Sequence, residues 1–172
     1  MTALFRSADR RREGAFAVLA LLCVAALGAA LVSQYGYDMQ PCPWCVLQRL
    51  IYLAIVLVCG IGLLWRSAIG RRASAGLGLL LALAGVAAAL WQHFQAAVSG
   101  SCKQTLADRI ISGWLQLDSL WPDVFAARAS CADAAVSLLG ISYDLWSLAL
   151  FVIVGLGFGM LLRRRVSLPA WR

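Results

Sequence analysis

The sequence predicts an all-α membrane protein: a bundle of four transmembrane helices, with both termini cytoplasmic and a long outward-facing loop between helices 3 and 4. Three observations predict it. The chain has 172 residues, 62% of them hydrophobic, and a mean hydropathy of +0.81, whereas a soluble domain is about 45–50% apolar. Four stretches nearly free of charge each reach the roughly 17–25 residues that a helix needs to cross about 30 Å of hydrocarbon. Arginines gather beside those stretches, where positive charge holds a loop on the cytoplasmic side.

The chain reads as a single transmembrane domain, residues 1–172. The first span covers residues 14–32. It is taken as a span rather than a signal peptide, because no clear small-residue cleavage site ends the run and further spans follow. The second span, residues 46–65, is interrupted only by Arg49. The third covers residues 74–94 and the fourth residues 145–162. Open sheets leave unpaired backbone groups in lipid, so each span is expected to be helical. Gly155 and Gly159 form a GxxxG in the fourth span, a weak packing signal that suits contact within the chain better than dimerisation.

Orientation follows from the arginines. Arg6 and Arg10 to Arg12 precede the first span, Arg66, Arg71 and Arg72 lie between the second and third, and Arg163 to Arg165 and Arg172 follow the fourth. All three clusters face the cytoplasm if four spans alternate. The net charge of +7 is therefore assigned to membrane orientation and not to nucleic-acid binding. The loops at residues 33–45 and 95–144 then face outward. The longer one carries Asp108, Asp118, Asp123, Asp133 and Asp144 against Lys103, Arg109 and Arg128. Its segment GWLQLDSLW is either a short amphipathic piece lying among headgroups or an ordinary turn packed on helix ends.

Six cysteines divide by environment. Cys23 and Cys59 lie within apolar runs and read as small apolar residues. Cys42, Cys45, Cys102 and Cys131 all fall in outward loops, and an even number on an oxidising face suggests two disulfides. Cys42-Pro43-Trp44-Cys45 is a CxxC. Haem attachment requires a histidine next, and Val46 stands there. Zinc requires four ligands, and Cys102 and Cys131 lack a second knuckle spacing, so no metal is expected. Redox exchange is favoured. A bridge across two residues closes so small a loop that it removes little chain entropy and has little structural value.

Arg49 follows Cys45 by four residues, which places the two on one helix face. The guanidinium and the positive helix end would both favour a thiolate at Cys45. A buried arginine costs about 2.5–3.5 kcal/mol at the bilayer centre and less near its edge, so a functional role is the default. The plain alternative is an interface anchor. Between Cys102 and Cys131 lie 28 residues. A bridge there would stabilise the loop by about 3–4 kcal/mol in the loop-entropy model, and a redox pair there would meet soluble partners. Spacing does not separate these readings. His93, at the outward end of the third span, either shuttles a proton or hydrogen-bonds at the interface.

PCPWCVLQR at the head of the second span, His93, Cys102, the run LDSLWPDVFAARASCAD ending in Cys131, and LLGISYDLWSLALF together resemble the DsbB family of bacterial disulfide-bond formation proteins. The resemblance covers the chain apart from its basic ends. It implies a thiol:quinone oxidoreductase of the bacterial inner membrane, with its cysteines on the periplasmic side. That enzyme would reoxidise a periplasmic DsbA-like thioredoxin-fold dithiol oxidase and pass electrons to ubiquinone or menaquinone in the lipid. By the same resemblance Cys42 and Cys45 form the membrane-proximal pair, with Cys45 facing the quinone. Arg49 holds the quinone ring region and His93 lies near it. Cys102 is attacked by the reduced partner, and Cys131 is its disulfide mate. Two alternatives stand beside this: a tetraspan scaffold with inert disulfides, and a reductase of the vitamin K epoxide type, which would more naturally carry its CxxC late in the bundle.

Overall fold

The computed structural model describes residues 2–65, 67–96, 106–130, 137–138 and 140–163. Helix α1 (Thr2–Gly36) is followed by α2 (Pro43–Leu64) and α3 (Ala68–Trp91), and α3 runs on into a π-helical turn, Gln92–Ala96. Next come α4 (Leu106–Asp108) with a π-helical continuation (Arg109–Trp114), α5 (Leu117–Leu120) and α6 (Pro122–Phe125). Strands β1 (Ser137–Leu138) and β2 (Ile141–Ser142) form a small antiparallel hairpin, and α7 (Tyr143–Arg163) closes the described chain. Gly140 in the hairpin turn has φ of 80°, a conformation that glycine adopts without steric cost.

Among the described residues, four helices are long and apolar enough to cross a membrane: Arg12–Gly36, Pro43–Leu64, Ala68–Phe94 and Tyr143–Arg163. The molecule is thus a four-helix multi-pass membrane protein. Helix α1 extends beyond its apolar stretch because no proline interrupts residues 2–36, so the basic arm continues the same helix. The helix starts are locally encoded. Cys42 caps α2, with Pro43 in the first turn, where its missing N–H leaves no bond unmade. Ser67 caps α3, its hydroxyl oxygen accepting the Gly70 N–H at 3.1 Å.

Packing runs α1 on α2, α2 on α3 and α3 on α7, the last most extensively. Helix α3 offers glycines to the aromatic rings of α7: a Cβ at Gly78 would collide with Phe158, and one at Gly85 with Phe151. Small residues let helix backbones approach closely where lipid gives no hydrophobic drive for association. Gly155 of the GxxxG meets Ala82 at ordinary contact distance, whereas a Cβ at Gly159 would meet nothing within 4 Å. Where α3 meets α7, the close seats are therefore in α3. Phe151 also stacks on Tyr52 of α2, with centroids 4.2 Å apart and planes 4° from parallel. Helices α1 and α7 touch each other far less than their neighbours do, and a cleft remains between them.

Candidate functional site

The cysteine pair is built by the start of α2. Cys42 has extended backbone (φ −85°, ψ 166°), and its sulfur accepts the Cys45 backbone N–H at 3.3 Å. The same turn brings the two Sγ atoms within 2.7 Å. Little movement then separates the dithiol from a bridge, whose S–S length is about 2.05 Å. Trp44, between the two, is buried and lies 6.3 Å from Trp91 of α3, which fixes the head of α2 against its neighbour. The two cysteines differ in surroundings. Cys42 is fully buried, and the hydrogen bond with Cys45, together with burial and the nearby Cys45 charge, pushes its pKa above the ordinary thiol value. Cys45 is half-buried and lines a cavity.

That cavity, of about 460 Å³, occupies the cleft between α1 and α7. Ala26, Ala29 and Ala30 of α1 and Leu150 and Ile153 of α7 give it apolar walls. Cys45, Gln48, Arg49, Gln92 and Asp144 supply its polar groups. Arg49 is 6% exposed. Its Nη1 donates to Gln34 Oε1 at 2.6 Å and to the Val124 carbonyl at 3.0 Å, and its Nη2 donates to the Ala30 carbonyl at 3.2 Å. All three acceptors are neutral, and among the described residues no carboxylate pairs with Arg49. A buried cation without a counter-ion favours an anionic sulfur or oxygen in the adjoining space. A second chain of bonds reaches the thiol: Gln48 Nε2 donates to Gln92 Oε1 at 2.8 Å, and Gln92 Nε2 donates to Cys45 Sγ at 3.3 Å.

The loop after α3 folds back over this end of the bundle. The Asp123 carbonyl accepts from Tyr35 Oη at 2.7 Å and from Gln34 Nε2 at 3.2 Å. The N–H groups of Arg128 and Ala129 donate to the Pro41 carbonyl at 3.0 and 3.3 Å. The segment around α6 is thereby tied to α1, to Arg49 and to the residue preceding Cys42.

Of the residues singled out by sequence, Cys42, Cys45 and Arg49 come together at the polar end of the cavity. His93 does not line it. Its Nδ1 instead lies 2.6 Å from Oδ2 of Asp144, which does. Cys102 and Cys131 lie outside the described residues. The sequence pattern assigned no site role to Gln34, Gln48 or Gln92, and counted Asp144 only among the charges of the long loop. A signal existed for Gln48 and Gln92, since polar groups inside apolar runs mark sites. Gln34 and Asp144 stand at span ends, where polar residues are ordinary. Among the described residues no group of three or more His, Cys, Asp or Glu is gathered for a metal.

Residues 11–161 match the family model described as disulfide bond formation protein DsbB. Similar proteins include disulfide bond formation protein B 1 of Pseudomonas savastanoi pv. phaseolicola, 36% identical over 83% of this chain and 85% of the relative. Disulfide bond formation protein B of Chromohalobacter salexigens is 35% identical over 84% of this chain and 90% of the relative. That of Cupriavidus metallidurans is 30% identical over 87% and 92%.

Proposed function

Because the chain belongs to the DsbB family, a family of disulfide oxidoreductases of the membrane, we propose that it is a thiol:quinone oxidoreductase which reoxidises a DsbA-like dithiol oxidase. One observation carries this reading: Cys45 opens into an apolar cavity beside Arg49, a buried cation with no carboxylate partner among the described residues. The cavity suits a flat, largely apolar ring with polar oxygens. Its alanine and leucine walls face the body of such a ring, and the Arg49 guanidinium and Gln48 amide supply hydrogen-bond donors. A bound ubiquinone or menaquinone supplies an acceptor for one electron pair and two protons.

The chain's own groups divide the work. Cys42 retains its proton, since its pKa is raised. The Gln92 amide and the Arg49 charge support negative charge on Cys45. The apolar cleft keeps bulk water from the sulfur facing the lipid side. Docking of Arg128 and Ala129 on Pro41 brings the long loop to the CxxC, and Cys131 follows two residues later in the sequence. In this reading Cys102 and Cys131 exchange with the reduced partner, Cys102 forming the mixed disulfide, and then reoxidise at the expense of Cys42 and Cys45. His93 takes part from the cavity's edge. The protein sits in the bacterial inner membrane with its basic clusters in the cytoplasm and its cysteine loops in the periplasm. In support, Arg71 is bonded to Glu13 at 2.8 Å at the end of the bundle opposite the CxxC.

The test is anaerobic mixing of purified protein, reduced partner and quinone, followed by quinone absorbance. Catalytic loss of quinone absorbance, with the partner becoming oxidised, is expected. Reoxidation of the partner no faster with quinone than without it would leave only inert structural bridges.

A further inference from the structure

The cavity wall carries an acid that the sulfur chemistry does not use. Asp144, in the first turn of α7, lines the cavity, and its side chain is only 10% exposed. His93, bonded to it through Nδ1, is 35% exposed. One end of the pair thus meets the cavity and the other meets the surface.

We propose that His93 and Asp144 form the path by which a proton enters the cavity, with Asp144 giving it to the acceptor's oxygen and His93 reloading Asp144. This deepens the quinone reading and rests on it. The accounting requires such a path. When Cys45 acts as a thiolate, closing the Cys42–Cys45 bond releases one electron pair and one proton, that of the Cys42 thiol. A quinone accepting the pair takes up two protons. The second leaves an Asp144 carboxyl oxygen, the Nδ1 proton of His93 replaces it, and water returns a proton to His93.

The other titratable groups on the cavity are less suited. Cys45 and Arg49 of α2 are a thiolate and a permanently protonated cation. Tyr52 of α2 is engaged with Ser147, 2.9 Å from its Oγ and 3.2 Å from its carbonyl. Tyr143 of α7 adjoins Asp144, and no imidazole stands behind it. Gln92, which precedes His93, is an amide and transfers no proton.

Asp144→Asn separates a proton path from a structural tie, because the amide oxygen still accepts the His93 N–H but the side chain moves no proton. With quinone and reduced partner, Asp144→Asn should lower quinone reduction by roughly 100-fold, in the range of general-acid effects. The apparent KM for quinone should stay unchanged, and Asp144→Glu should recover much of the rate. The second readout needs no quinone. His93 is the chain's one histidine, so ¹⁵N-histidine labelling reports a single imidazole. Its Nδ1 chemical shift should move in Asp144→Asn, because the carboxyl oxygen 2.6 Å from Nδ1 gives way to an amide. Wild-type turnover in Asp144→Asn, or an imidazole Nδ1 signal unmoved by it, overturns the relay. Failure of the unaltered protein to reduce quinone would instead remove the reading beneath it.

Discussion

At the scale of single residues the molecule turns on a cation and two unlike thiols. Arg49 is held by oxygens from α1 and from α6, so its charge is aimed rather than neutralised. A hydrogen bond involving a charged group contributes about 1.5–3 kcal/mol. Arg49→Ala should therefore raise the apparent KM for quinone by roughly 10–100-fold and leave disulfide exchange with the partner nearly intact. Steady-state quinone reduction at varied quinone concentration measures this, and an unchanged KM and rate would remove Arg49 from the site. Cys42 makes a second prediction. Its pKa lies above the ordinary thiol value, so its thiolate is scarce at neutral pH and grows only as pH rises beyond the usual thiol range. In the reduced protein, alkylation at pH 7 should mark Cys45, which lines the cavity, well before buried Cys42, and the gap should narrow in alkali. Peptide mapping after timed quenching would show it, and equal labelling at pH 7 would contradict the asymmetry.

Among elements, the contact of α3 with α7 sets the shape of the cleft. Gly85 gives Phe151 its seat, and Phe151 supports Tyr52 on the cavity wall. Overpacking a close contact costs typically about 1–3 kcal/mol. Gly85→Leu should lower the thermal midpoint in detergent by several degrees and weaken quinone use through the displaced Tyr52. Gly159→Leu, at a position with open space, should do neither. A Gly85→Leu protein with an unchanged melting midpoint would show that the helices are not held this way. The π-helical turn after α3 matters at the same scale. It carries both Gln92 and His93, the first bonded to Cys45 and the second to Asp144.

Over the whole molecule, one polar end gathers the CxxC, the α6 segment, Gln92 and the Asp144 pair, and the opposite end carries Arg12, Arg71 and Arg72. The proposed orientation follows from that polarity and the positive-inside bias. After mild reduction, a membrane-impermeant maleimide added to intact cells should reach Cys45 from outside. Protection of Cys45 in cells, with labelling only after the membrane is opened, would reverse the topology.

The four helices were legible in the sequence because hydropathy is a sum over neighbouring residues, and in lipid the backbone must bond within its own segment. The CxxC and Arg49 were legible for a similar reason: their four-residue spacing lies within one helix, and a cation in an apolar run is costly enough to signal purpose. The family likeness rested on these same local runs. Only the tertiary structure decided that α1 and α7 stand apart and leave a cavity, that Gln92 rather than His93 faces the sulfur, and that His93 is joined to Asp144. Those facts depend on how each helix is rotated and on which ring fills which glycine seat. They arise from contacts between residues far apart in the chain, so no local sum contains them.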